Sequence, residues 1–76
     1  MKVVIRFYGA LAELTGISEL EVADVKTTGA LVEILTQRFP KLSKLKYKIA
    51  VNQQLVSSVD LKDNDLVALL PPYSGG

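Results

Sequence analysis

Cysteine, histidine and tryptophan are all absent from the 76 residues. Without cysteine there is no disulfide framework and no thiol nucleophile. Without histidine there is no imidazole base, and with both missing no Cys/His metal site. No metal is therefore expected. Neither sign of charge prevails: nine Lys and Arg stand against eight Asp and Glu, a formal +1. A chain so nearly neutral advertises neither nucleic acid nor an anionic membrane as a partner. Long apolar runs are missing as well. The opening MKVVIRFYGALAEL is interrupted by Arg6 and Glu13, which leaves neither a bilayer span nor the apolar stretch of a secretory leader. A cytoplasmic location is the expectation that fits these absences.

What is present suits one small domain with a well-filled core. The apolar share is 49%, and a chain this short buries only about 60% of its unfolded surface. From Lys2 to Tyr8 the residues alternate, with Val3, Ile5 and Phe7 on one side and Val4, Arg6 and Tyr8 on the other, the period of a strand with one buried face. Ala10 to Thr15 reads as a short helix stopped by Gly16. Ser18 to Val22 alternates again. Thr27 or Thr28 can cap a longer helix, on which Leu31, Ile34, Leu35 and Phe39 are expected to share one face, ended by Pro40. Residues 41 to 46 add a short turn. Lys48 to Val51 is a strand, Asn52-Gln53 a turn, Gln54 to Ser57 a short strand, and Leu66 to Leu70 the last one. In the turn KDND, Asn64 suits the left-handed conformation. The order β-β-α-β-β-β, with the apolar first and last strands side by side at the centre, predicts an α+β β-grasp fold: a mixed sheet of about five strands with one main helix on one face. Residues 1–70 form the domain and 71–76 an extended tail.

Most charged clusters have ordinary explanations. Asp60, Asp63 and Asp65 lack the glycine and the further oxygens of a calcium loop, and they read as a solvated turn. Lys41, Lys44, Lys46 and Lys48 around Tyr47 read as solubilising charge, with an acidic partner or a single-stranded nucleic acid as alternatives. The outer face of the sheet says more. With Val67 and Leu69 inward, Leu66, Ala68 and Leu70 point away from the helix beside Tyr8, and Leu55 is placed with them. Such an apolar strip is a candidate docking surface, provided that the register is not slipped by one residue.

The chain closes on LLPPYSGG, Leu69 to Gly76. Pro71-Pro72 favour an extended path and cannot donate backbone hydrogen bonds. They are expected to carry Tyr73, Ser74, Gly75 and Gly76 away from the sheet. Six residues at about 3.3 Å each reach roughly 20 Å. Gly75 and Gly76, without side chains, can thread a slot too narrow for other residues. Such a stalk would hold the terminal carboxylate clear of the body; a frayed end is the alternative.

At this point the sequence resembles a known family, the sulfur-carrier (small) subunits of molybdopterin synthase. The likeness runs along nearly the whole chain. It is strongest in IAVNQQLVSSVDLKDNDLVALLPPYSGG, which carries AVNQ-x-LV, L-x-D-x-D-x-V and PP-x-[ST]-GG stretches, and YGALAELTG matches the family's start. The resemblance implies a ubiquitin-like β-grasp protein that is not an enzyme by itself. It implies that a separate adenylating enzyme uses ATP to activate the Gly76 carboxylate, and that a sulfur donor acting through a persulfide leaves a thiocarboxylate there. The large synthase subunit then receives the tail, and sulfur passes to cyclic pyranopterin monophosphate to build the molybdopterin dithiolene. No permanently bound cofactor is implied, and the family usually assembles two small with two large chains. Tyr8, Leu55 and Leu70 match the family's docking residues. Leu66 stands where a charged residue is frequent and enlarges the strip, Tyr8 where phenylalanine is common, and Asn64 where glycine is usual. A carrier for thiazole (thiamin) synthesis, a ubiquitin-like protein modifier and a plain interaction domain are the alternatives. Modifier tails are often basic before Gly-Gly, whereas Pro71 to Ser74 carry no charge.

Overall fold

The computed structural model describes residues 1–72. Its elements are β1 (Lys2–Phe7), α1 (Ala10–Thr15), β2 (Glu19–Ala23), α2 (Thr28–Arg38), a 3-10 turn (Pro40–Lys44), β3 (Lys48–Val51), β4 (Gln54–Val56) and β5 (Leu66–Leu70). The strands form one five-stranded sheet in the order β2-β1-β5-β3-β4. β1 and β5 lie parallel at its centre and the other neighbours are antiparallel. Leu31 and Leu35 of α2 pack with Val3, Ile5 and Phe7 of β1 and Val67 and Leu69 of β5 in a single core. This is the β-grasp expected from the sequence, with β2 displaced by one residue and β4 ending one residue early. Among the described residues no helix is long and apolar enough to cross a membrane.

Local chemistry explains where the elements start and stop. Gly16 takes the left-handed conformation (φ 77°) and closes α1 by donating its N–H to Ala12 O. The Thr27 hydroxyl accepts the Ala30 N–H at 3.1 Å and caps α2, satisfying one of the helix's orphan donors. Asn52 and Gln53 both have positive φ, 50° and 72°, the geometry a two-residue hairpin loop demands. Asn64 is left-handed too (φ 67°) and donates its N–H to Lys2 O at 2.7 Å.

The acidic turn is fastened to the sheet. Asp63 Oδ1 accepts the Lys2 N–H at 2.8 Å, and Asp65 accepts the Lys62 N–H at 2.7 Å and the Asn52 Nδ2–H at 2.9 Å. The Lys62 N–H first, and then Asn52, hold the Asp65 carboxyl below the usual carboxylate range. These aspartates stabilise the turn before β5, as a solvated-turn reading requires.

One feature departs from the sequence expectations and two were not anticipated by them. Ile34 does not share the buried face of α2: it is 38% exposed while Leu31 and Leu35 are buried. Adjacent helical residues differ by about 100°, and the stripe that meets the sheet is centred on Thr28, Leu31 and Leu35, which leaves Ile34 at its edge. Leu42, in the lysine-rich 3-10 turn, is fully buried. Thr28 is buried as well, although it is polar. Its hydroxyl accepts the Val59 N–H at 3.1 Å and lies 3.4 Å from Val59 O, tying the loop before β5 to the start of α2.

Thr28→Val keeps the shape of the side chain and strands the Val59 N–H. It is expected to cost about 1–3 kcal/mol. Thr28→Ser loses only the methyl, about 0.8 kcal/mol of burial. Urea unfolding should rank Val below Ser; the reverse order would mean that the hydroxyl is not a structural bond.

Candidate functional site

The pairing register assembles the sheet's outer face. Val4 stands beside Leu66 and Arg6 beside Ala68, while Lys48 faces Leu70 and Ala50 lies between Ala68 and Leu55. Tyr8 directly follows β1, and its N–H donates to Leu69 O at 3.2 Å. With Phe7 in the core, the Tyr8 side chain is turned outward and is 42% exposed. Leu55 is 63% exposed, and Leu66 and Leu70 are half-buried. The four residues named from the sequence, Tyr8, Leu55, Leu66 and Leu70, thus share one face. Leu55 lies two strands from β5, about 10 Å at ordinary strand spacing. The short side chains of Ala50 and Ala68 fill the interval. Ala50 is only 5% exposed yet stands outside the main core cluster, which means that its outer-face neighbours cover it. That residue was not singled out from the sequence, because an alanine in a strand carries no sign of its face.

The flanks of this strip are polar. Arg6 Nε donates to Glu19 Oε1 at 3.1 Å, and Lys2 pairs with Glu21 at 3.5 Å. The Tyr8 hydroxyl and then the Glu19 carboxylate push the Arg6 pKa up. Through Glu19, Arg6 ties β1 to β2 at the margin of the strip.

Beyond Leu70 the chain does not immediately leave the body. Pro71 and Pro72 are half-buried. With Ala10, Leu11 and Leu45 they line a groove of about 490 Å³, which Lys44 and Lys46 also border. Gly9, between β1 and α1, makes this seat possible. Its φ of 57° with ψ of −131° is open to glycine and strained for other residues. A Cβ on Gly9 would stand 3.0 Å from Pro71 Cγ. The role of Gly9 was not recognised from the sequence, since contact with Pro71 bridges opposite ends of the chain. Of the expected tail, Tyr73, Ser74, Gly75 and Gly76 lie outside the described residues.

Gly9→Ala meets both the positive φ and the proline ring. Its expected cost is about 1–3 kcal/mol, read as a lower melting temperature. A melting temperature equal to that of the unsubstituted chain would show that the turn accommodates a side chain in another conformation.

Comparison with known proteins extends the likeness over the whole length. Residues 5–76 match the ThiS family. The molybdopterin synthase sulfur carrier subunit of Mycobacterium tuberculosis is 35% identical over 82 residues, spanning 100% of this chain and 99% of that protein. Among solved structures, a candidate subunit 1 of molybdopterin converting factor from Pyrococcus furiosus superposes with a TM-score of 0.87 at 27% identity, covering 95% of this chain and 98% of its own. Subunit 1 and 2 of molybdopterin-converting factor from Helicobacter pylori were solved as a complex; the match there has a TM-score of 0.75 and 28% identity and covers 100% of both chains. The chain belongs to the ThiS family.

Proposed function

We propose that this chain is the sulfur carrier subunit of a molybdopterin synthase, with its cargo on the carboxyl group of Gly76. The observation that carries this assignment is the end-to-end likeness to the Mycobacterium sulfur carrier subunit, which leaves only 1% of that protein's length unmatched. The geometry supports it: an apolar strip of Tyr8, Leu55, Leu66 and Leu70 lies on the sheet face at whose end the chain reaches Pro71.

The chemistry follows from the residues available. A carboxylate is resonance-stabilised and a poor electrophile. An adenylating partner therefore first joins the Gly76 carboxylate to AMP, consuming ATP and releasing pyrophosphate. The terminal sulfur of a persulfide on the donor displaces AMP to give an acyl disulfide. A second thiol then cleaves its S–S bond, becoming a disulfide with the donor and leaving a C-terminal thiocarboxylate. That sulfur is the nucleophile supplied to cyclic pyranopterin monophosphate, on which the molybdopterin dithiolene is built. A chain without cysteine or histidine can take part because its reactive group is its own end, while activation and pocket come from other proteins.

Each part has a role in this scheme. Residues 1–70 are the body that partners grip, and residues 71–76 are the inserted tail. Pro71 and Pro72 give the tail a stiff root; Tyr73, Ser74 and Gly75 lead Gly76 into the partner's pocket. The large synthase subunit and the adenylating enzyme use the same apolar strip in turn, and the chain itself is a non-catalytic subunit of the transferase. Two small and two large chains make up the assembly, and the cytoplasm, which supplies ATP, is where it works.

Intact-mass measurement after incubation with ATP, the adenylating enzyme and a sulfur donor tests the assignment. A mass gain equal to the difference between sulfur and oxygen, lost on deleting Gly76, is the expected result. Lysine-linked conjugates of other proteins would instead indicate a modifier, and molybdopterin formation by the Gly76 deletion would sink the assignment. Leu70→Glu places a charge in the strip, and its binding to the large subunit should weaken at least about tenfold, the loss of one well-buried contact. Unchanged affinity would move the docking surface elsewhere.

A further inference from the structure

Lys44 ends the 3-10 turn, Lys46 follows in the connection and Lys48 opens β3. All three are exposed. Among the described residues the ion pairs are Lys2–Glu21 and Arg6–Glu19, and neither involves these lysines. Their position is specific. Lys44 and Lys46 border the groove in which Pro71 and Pro72 sit, and Lys48 stands opposite Leu70 in the sheet register. The cluster therefore surrounds the root of the tail and adjoins the apolar strip. The acidic turn of Asp60, Asp63 and Asp65 precedes β5 at the other end of that strand. A chain of net charge +1 is thus divided, with its positive pole where the tail departs.

Tyr47 decides between the partners such a cluster could serve. A single-strand nucleic-acid site needs an aromatic face presented among the cations. Tyr47 is instead packed against the hydrophobic core, and burial pushes its hydroxyl pKa up. Half-buried in this way, Tyr47 does not present a full ring face among the lysines. Three like charges at alternate positions in the sequence, with no ion pair among the described residues, repel one another in the free protein. Carboxylates on a docking protein would relieve that repulsion and would raise the rate of encounter.

We infer that the large synthase subunit carries Asp or Glu side chains around the mouth of the pocket that receives the tail, and that Lys44, Lys46 and Lys48 dock against them. This inference rests on the sulfur-carrier assignment and adds to it the charge of the receiving surface. The apolar strip holds the complex together; the lysines orient the carrier before contact, so that the root of the tail faces the pocket. Their effect is concentrated in the association rate.

Stopped-flow association of the full chain with the large subunit, measured across ionic strength, tests this. Lys44→Glu/Lys46→Glu is compared with Lys26→Glu/Lys62→Glu, which makes the same change in net charge at exposed positions away from the tail. The first pair should slow association about tenfold or more at low salt and flatten its salt dependence. The second should stay within about twofold of the unsubstituted chain. Lys44→Gln/Lys46→Gln should fall between, which supplies a milder variant if charge reversal impairs folding. Equal slowing by both Glu pairs would reduce the effect to net charge and overturn the inference, as would no slowing by either. Capture of a single-stranded oligonucleotide that depends on Lys44 and Lys46, with protein association unaffected, would overturn it in favour of nucleic acid. Failure of the unsubstituted chain to bind the large subunit at all would instead count against the sulfur-carrier assignment, and the inference would fall with it.

Discussion

Parallel pairing of β1 with β5 joins the first and last strands of the chain and fixes both faces of the sheet at once. Ile5 beside Val67 and Phe7 beside Leu69 put their side chains into the core, and the same register sets Val4 beside Leu66 and Arg6 beside Ala68 on the outer face. A slip of one residue would exchange the two sets, burying the docking strip and exposing the core. The pairing spans nearly the whole sequence, so its loop-closure entropy must be met before it stabilises anything. The intervening elements help to meet it. Thr28 fastens the loop before β5 to the start of α2, and Asp63 and Asn64 bond directly to Lys2 at the start of β1.

The same pairing determines where the tail begins. The bond from the Tyr8 N–H to Leu69 O continues the ladder one step past β1. Immediately afterwards Gly9 turns the backbone under Pro71, where a Cβ would stand only 3.0 Å from the proline ring. Pro71 and Pro72 are therefore seated in a groove, and the starting point of the tail is fixed relative to Tyr8 and Leu70. A partner that gripped the strip would thereby receive Pro71 and Pro72 in a defined place.

Much of this was legible in the sequence because it is written in short-range patterns. The alternation of Val3, Ile5 and Phe7 fixed one face of β1; Gly16, Asn52-Gln53 and Asn64 marked turns whose φ values are those the residues favour. Given the central pairing, Tyr8, Leu66 and Leu70 followed onto the outer face. What escaped depends on contacts between distant segments. Ile34 has helical spacing from Leu31, yet the width of the buried stripe is set by the sheet beneath it. The burial of Ala50 depends on Leu55 and Ala68 around it, and the need for Gly9 on the position of Pro71. The lysines were visible as a cluster, but their relation to the tail groove required the path of the 3-10 turn, which Leu42 anchors in the core.

On the proposed function, a carrier loaded by one protein and emptied by another would present one face to both. If both used the strip beside the root of the tail, they could not be bound together, and the carrier would have to leave the first before it reached the second. Very tight apolar docking would slow that exchange, since differences in affinity reside chiefly in the dissociation rate. A strip of four apolar side chains, interrupted by two alanines and bordered by polar residues, limits the buried core of the contact. Charge at the periphery can then restore efficient capture without prolonging residence, because rim charges act mainly on association. The division between apolar grip and basic approach is thus what repeated loading and delivery demand of a carrier whose cargo travels at the end of its backbone.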